Sequence, residues 1–177
     1  TRTGNTLDGQ AYMQYAVYGD NAVWYNLRGD YNMIQWINQN IKGTPTIIEA
    51  QTVEYKWGSR IAINTGLPTV IGWNWHQRQQ RNVLNLNQVV WNRSNNVTAF
   101  YTSPSIETAW NLIQFYGIEY IILGTQEHIT YNDLQQDGHD GPLQAGLSIG
   151  LAKFDRMVDL GLLEVVYQAP TCVTGTA

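Results

Sequence analysis

The chain has 177 residues, a formal net charge of −4 and a pI near 5.2, and 14% of its residues are charged, against about 25% in typical soluble domains. This length suits one domain with a sizeable core, while the acidic balance argues against a nucleic-acid partner, which needs a basic surface. The sequence has no apolar run of about 18 residues that would span a membrane, and its single cysteine, Cys172, cannot form an internal disulfide.

The first part of the chain predicts a helix and a short strand. Residues 1–20 have no sustained apolar period, which predicts an extended segment that enters the domain. Apolar residues recur at helical spacing over residues 29–42, and residues 46–49 predict a short buried strand. Glu49 lies at the C-terminal end of that strand. There it could accept hydrogen bonds from sugar hydroxyls or form an ion pair with Arg60, and the ion pair is the commoner arrangement.

Residues 57–81 concentrate aromatic and basic side chains, with three of the seven Trp, one of the three His and three Arg. Gly66 is suited to end a short helix predicted from residue 59 to 65, because glycine adopts the left-handed conformation without a Cβ clash. Residues 69–71 then predict a short buried strand. Residues 73–81 would follow its C-terminal end, where ligands bind in open α/β sheets.

This aromatic and basic stretch is the candidate binding site. Flat aromatic rings, an imidazole and guanidinium groups suit stacking on a sugar or gripping a phosphate. The alternative is that the tryptophans fill a core and the polar groups are satisfied at its rim. No catalytic residue and no metal ligand is assigned. The candidate substrate-binding residues are Trp57, Arg60, Trp73, Trp75, His76 and Arg81, together with Glu49.

The second half predicts a strand, helix, strand order. Residues 82–96 are amide-rich and predict a loop with a short helical or extended piece, and residues 97–101 predict a strand. A helix over residues 103–117 would have Pro104 at its first position, and residues 119–123 would form a central strand. This order predicts a right-handed crossover and a parallel sheet.

The last third adds no strong catalytic motif. Glu127 and His128 follow the predicted central strand, but neighbouring helical residues point in different directions, so a surface helix start is the better explanation. The remaining predicted elements are a loop over residues 133–146 whose His and Asp match no standard metal site, a helix from residue 147 to Gly161, a last strand over residues 162–167, and a frayed tail over residues 169–177.

Together these elements predict a single α/β domain. Its expected form is a three-layer, Rossmann-like, open and mostly parallel sheet of about five strands with helices on both faces. The sequence has no Gly-x-Gly-x-x-Gly or Walker motif, no Gly-x-Ser-x-Gly elbow and no His-Glu-x-x-His pair. No cofactor is therefore expected in this fragment.

Several stretches resemble one protein family. The matches in the aromatic and basic stretch are YKWGSRI, TGLPTVIGW and HQRQQR, and further similarity brings the resemblance to most of the chain. The family is that of the YYY membrane proteins of Chloroflexi and archaea, which contain a domain of unknown function. The matching ranges are residues 6–13, 44–50, 55–61, 65–73, 76–81 and 118–124.

The YYY family looks like a relative of multi-spanning glycosyltransferases that use polyprenyl-phosphate sugars. The resemblance implies an extracytoplasmic C-terminal domain, excised from a longer protein and anchored through membrane regions outside this fragment. Its partners would be the membrane portion of the same polypeptide and a polyprenyl-phosphate sugar or glycan.

The resemblance also implies a role in sugar or acceptor binding rather than catalysis alone. One or more of Trp57, Trp73 and Trp75 would stack on sugar, while Arg60, His76 and Arg81 would hold phosphate or acceptor hydroxyls. Two alternatives stay open, a stand-alone carbohydrate-binding module and a purely structural extracytoplasmic domain. Full burial of the three tryptophans would favour the structural alternative.

Overall fold

The computed structural model describes residues 6–20, 23–80, 86–131, 135–136, 143–144 and 149–169. A short 3-10 helix covers Ala11–Gln14. The α-helices are Arg28–Asn40 (α1), Arg60–Thr65 (α2), Asn74–Gln80 (α3), Leu86–Thr102 (α4), Ile106–Tyr116 (α5), Thr125–Tyr131 (α6) and Ile149–Asp159 (α7). The strands are Val17–Asp20 (β1), Val23–Asn26 (β2), Thr46–Ile48 (β3), Ile118–Ile121 (β4), Gln135–Gln136 (β5) and Leu143–Gln144 (β6).

The predicted five-strand Rossmann-like sheet is wrong. The described strands form three separate two-stranded sheets, which are antiparallel β1 with β2, parallel β3 with β4, and antiparallel β5 with β6. On the free side of β3, Ile47 makes one isolated parallel bridge to Thr69. The segment from residue 69 to 71, which we expected to be a strand, therefore contributes only this bridge.

The strand predicted over residues 97–101 is wrong, because these residues lie in the C-terminal third of the long helix α4. Their β-branched and aromatic residues favour a strand by propensity, but Val97 and Tyr101 are four residues apart and both are buried on the same helix face. The Thr98 hydroxyl also donates to the Ser94 carbonyl oxygen one turn back. Packing of this face overrides the local propensity, so the predicted crossover from this strand does not exist.

The last predicted strand, residues 162–167, is not assigned as a strand either. Gly161 ends α7 with a φ of +68°, and the amides of Leu162 and Leu163 both donate to the Met157 carbonyl oxygen. Further along, the Tyr167 ring packs against Trp36 of α1, with 5.2 Å between centroids. The segment is held by these contacts rather than by a strand partner in the described part of the chain.

Other local predictions are confirmed with shifted boundaries. Helix α1 occupies nearly the predicted range, and glycines in the left-handed conformation end α2 and α5, at Gly66 and Gly117. Helix α5 begins at Ile106 rather than at Pro104, and the Ser105 side chain caps it by accepting a hydrogen bond from the Thr108 amide. Residues 6–20 are also more ordered than predicted, since they contain the 3-10 helix and β1.

Two groups of buried side chains pack on opposite sides of β3. Ile47 belongs to the group formed with β2, α1 and α2, whereas its neighbour Ile48 belongs to the group formed with α4, α5 and α7. This alternation is the ordinary two-residue period of a strand. The strand thus connects the two halves of the core, and the residues that follow it lie where both halves meet.

None of the helices in the described ranges combines the length and the apolar character needed to cross a bilayer.

Candidate functional site

The loop from β3 to α2 has an unusual backbone at two positions. Tyr55 and Ser59 have φ values of 64° and 60°, and they are the non-glycine residues with positive φ in the described part of the chain. Residues with a Cβ rarely adopt this conformation, which costs roughly 1–3 kcal/mol and persists only where the surrounding structure enforces it. The contacts around Tyr55 and Ser59 must therefore hold this backbone in place.

Arg60, immediately after Ser59, is the centre of a buried cluster of charges. Its guanidinium makes a two-pronged contact with Glu127, at 2.9 Å from Nη1 to Oε1 and 2.8 Å from Nη2 to Oε2. Arg60 Nε lies 2.9 Å from Oδ1 of Asp30, and Nη1 lies 3.8 Å from Oε2 of Glu49. We call these four residues the Arg60 cluster; each is at most 5% exposed.

The carboxylates of this cluster also hold backbone amides. Both oxygens of Glu49 accept hydrogen bonds at 2.8 Å, from the amides of Ile61 and Ala62 in the first turn of α2. The Glu127 carboxylate accepts from the amides of Ala50 and Gly124, again at 2.8 Å. The cluster thereby joins the end of β3 to the starts of α2 and α6.

Both glutamates are buried, but their pKa values shift in opposite directions. Burial raises the pKa of Glu49 to about 7, although Arg60 and the two amides oppose it. Burial would also raise the pKa of Glu127, but the Arg60 guanidinium and the amides of Ala50 and Gly124 outweigh it and bring that pKa below its usual value.

Three of the sequence-predicted site residues therefore belong to the scaffold. Glu49 and Arg60 form the ion pair that was the commoner alternative, and neither reaches the surface. Trp57 is partly buried, its indole N–H donates to Oδ2 of Asp30 at 2.6 Å, and its ring packs on Tyr18 with centroids 5.7 Å apart. These residues position the loop and do not line a binding surface.

Trp73 and His76 do come together, with Tyr55 as the third member of an aromatic group. The ring centroids are 5.3 Å apart between Trp73 and His76, 5.5 Å between Tyr55 and Trp73, and 5.4 Å between Tyr55 and His76. The Tyr55 hydroxyl lies 3.1 Å from Nε2 of His76. Tyr55 is 78% exposed, so this contact holds a surface loop against α3.

Beside this aromatic group is a cleft of about 340 Å³, here named the α2/α3 cleft. Its lining combines apolar groups, amides and one imidazole, from Ser59, Ala62, Ile63, Thr69, Gly72, Trp73, His76, Gln77 and Gln80. Two of the lining side chains carry polar atoms that are buried and have no hydrogen-bond partner, namely Ser59 Oγ and Trp73 Nε1. A buried donor without a partner costs about 1–3 kcal/mol, and a ligand acceptor could recover that loss.

Trp75 lies away from this cleft, in a second groove of about 220 Å³. The Arg78 guanidinium stacks between two exposed indoles, 5.2 Å from the centre of the Trp75 ring and 4.4 Å from that of Trp91. Arg81, the remaining candidate, lies outside the described residues. Because Trp57, Trp73 and Trp75 are not all buried, the condition that would have favoured a purely structural domain is not met.

Several residues of this region were missed from the sequence. Gln77 and Gln80 follow Trp73 at spacings of four and seven, and the helical period of α3 could have placed them on its cleft face. Glu127 was assigned to a surface helix start, yet it is fully buried against Arg60. No local pattern indicated the left-handed conformation of Ser59.

The described residues contain no group of three or more His, Cys, Asp or Glu side chains arranged to hold a metal ion.

Comparisons with protein-family models, with curated proteins and with solved structures found no match to this chain. The similarity to the YYY membrane proteins thus stays a resemblance carried by the stretches quoted above.

Proposed function

We propose that this chain is a carbohydrate-binding domain on the extracytoplasmic side of a membrane protein resembling lipid-linked-sugar glycosyltransferases. In this proposal it contributes sugar or acceptor binding through the α2/α3 cleft, and the chemical step belongs to the membrane portion of the same polypeptide. The observation that carries the proposal is the cleft itself, with the unpaired donors of Ser59 and Trp73 in its lining.

The lining has the mixture that sugar recognition requires. A pyranose ring has an apolar C–H face and a rim of hydroxyl groups that both donate and accept hydrogen bonds. Ala62 and Ile63 supply apolar surface, and the amides of Gln77 and Gln80 can donate or accept. Binding pockets commonly combine an apolar lining with a few convergent polar groups, and a volume of about 340 Å³ suits a small ligand.

A binding role also follows from the positions of the acidic groups. Glycoside hydrolysis, for example, needs two carboxylates on either side of the scissile bond. In the described part of the chain, the buried carboxylates of Asp30, Glu49 and Glu127 all face Arg60, and no Asp or Glu lines the cleft. His76 supplies the imidazole of the lining, and its Nε2 already contacts the Tyr55 hydroxyl.

Binding can be measured on the purified 177-residue chain with a panel of mono- and disaccharides. Tryptophan fluorescence should change on titration because Trp73 lines the cleft, and calorimetry should give the same dissociation constant. The W73F variant keeps an aromatic ring but removes the indole N–H, and we expect at least about threefold weaker binding, the effect of one net hydrogen bond.

The matched control is W110F, which changes a partly exposed tryptophan of α5 that does not line the cleft. It should leave the dissociation constant unchanged. Equal binding by W73F and the unmodified chain, or no response to any saccharide in the panel, would count against the proposed function.

A further inference from the structure

Among the described residues, the lining of the α2/α3 cleft contains no side chain with a fixed charge, although Arg60 directly follows the lining residue Ser59 and contacts three carboxylates. The nine lining residues include no Lys, Arg, Asp or Glu. Arg60 makes ion pairs with Asp30, Glu49 and Glu127. Its charge is thereby neutralised within the core, and it cannot serve as a phosphate ligand without breaking these contacts.

An anionic ligand would find little charge compensation among the described residues that line this cleft. Phosphate recognition relies on Arg, Lys or several convergent backbone amides. The unpaired groups are instead a hydroxyl and an indole N–H, which are neutral donors matched to neutral acceptors such as sugar hydroxyl and ring oxygens. The chain as a whole is also acidic, with a formal net charge of −4.

We infer that the α2/α3 cleft binds an uncharged glycosyl group and discriminates against its phosphorylated form, with Ser59 Oγ and Trp73 Nε1 as the donors that select it. The inference rests on the proposed function and names the part of the substrate that this site holds. It replaces the expectation that Arg60 grips a phosphate. Both donor atoms are buried, so the Ser59 hydroxyl and the Trp73 indole must each turn toward the cleft to donate to a ligand.

The backbone of Ser59 allows a clean test of its hydroxyl. With a φ of 60°, Ser59 occupies a conformation that glycine adopts without a Cβ penalty. The S59G variant therefore removes the hydroxyl while it relieves backbone strain, and we expect its melting temperature to stay equal or rise. Its affinity for the neutral sugar should fall about 3- to 10-fold, the effect of one net hydrogen bond.

The experiment titrates the purified 177-residue chain with glucose, mannose, galactose and N-acetylglucosamine, with the corresponding sugar 1-phosphates, and with inorganic phosphate. Calorimetry and ligand-observed magnetic resonance report binding. We expect at least one neutral sugar to bind, its 1-phosphate to bind about 10-fold more weakly or not at all, and inorganic phosphate not to compete.

The outcomes distinguish a failure of this inference from a failure of the proposed function. Tighter binding of a sugar 1-phosphate than of its neutral sugar would overturn the inference and leave the proposed function standing. Equal affinity of S59G and the unmodified chain would overturn the role of Ser59. If no neutral sugar and no sugar phosphate binds, the proposed function fails and the inference fails with it.

Discussion

Replacing Arg60 with methionine is the sharpest test of the buried charge cluster. Methionine is unbranched and flexible but has no charge, so R60M leaves the carboxylates of Asp30, Glu49 and Glu127 buried without their cation. Breaking a buried pair by removing one partner costs about 3–5 kcal/mol, because the charge that stays behind is uncompensated. For a domain of this size, such a loss corresponds to a melting temperature lower by about 6–20 °C.

The assay is urea denaturation of R60M and the unmodified chain at several pH values. Without Arg60, burial raises the pKa of the Glu49 and Glu127 carboxyls, so acidification protonates them and removes their uncompensated charge. The stability difference should therefore be largest at pH 8 and become smaller toward pH 5. R156M, at an exposed arginine of α7, should stay within about 0.5 kcal/mol of the unmodified chain. A loss below about 1 kcal/mol, or a loss independent of pH, would refute this reasoning.

Three further predictions concern single buried positions. Burial raises the pKa of Glu49 from 4.5 to about 7, so as the pH rises the unfolded chain loses this proton before the folded chain does. This group should therefore make the free energy of unfolding fall between pH 4.5 and 7. In urea denaturation, E49Q should show a flatter pH dependence over that range. Burial lowers the pKa of Lys153 from 10.5 to about 8, so this group should add stability as the pH rises from 8 to 10, a gain that calorimetry should not find in K153M. A Cβ at Gly150 would lie 2.5 Å from the Thr102 carbonyl oxygen of α4, so G150A should lower the free energy of unfolding by about 1–3 kcal/mol. The control G29A has open space around its Cβ and should raise the free energy of unfolding by up to about 1 kcal/mol. A G150A variant more stable than the unmodified chain would show that α7 does not pack against α4 at Gly150.

The sequence predicted those features that depend on neighbouring residues. Helix α1 follows from its apolar period, and the ends of α2 and α5 follow from Gly66 and Gly117, because each involves one backbone conformation within a few residues. Strand β3 was also predicted, since its short buried run lies between turn residues. Such local signals are sufficient for elements but not for the way they assemble.

The sheet could not be predicted in the same way. Residues 97–101 have strand propensity, yet the buried face of α4 includes Val90, Val97 and Tyr101, which are seven and four positions apart. The helical period becomes evident only when the amide-rich residues before 97 are included. Because α4 replaces that strand, the expected crossover and the larger parallel sheet do not form.

The candidate binding residues likewise differ in whether their contacts are local or distant in sequence. Trp73 and His76 are close in sequence, and their density together with the nearby glycine was enough to predict a shared site. The fate of Arg60 depends on Glu127, which is 67 residues away, and on Asp30 in another helix. The sequence indicated the ion pair with Glu49, but only the tertiary structure shows that Asp30 and Glu127 also contact this arginine and make it unavailable to a ligand.

The Arg60 cluster and the α2/α3 cleft are connected through the start of α2. Arg60 is the first residue of that helix, Ser59 is its N-cap in a left-handed conformation, and Ala62 contributes both to the cleft lining and to the Glu49 hydrogen bonds. The guanidinium contacts carboxylates from α1, from the end of β3 and from α6, so three elements fix the residue next to Ser59. Strained backbone persists only where surrounding contacts enforce it. The buried charges of the Arg60 cluster thus hold the Ser59 backbone in place. The described lining residues of the α2/α3 cleft contribute no Lys, Arg, Asp or Glu to this support.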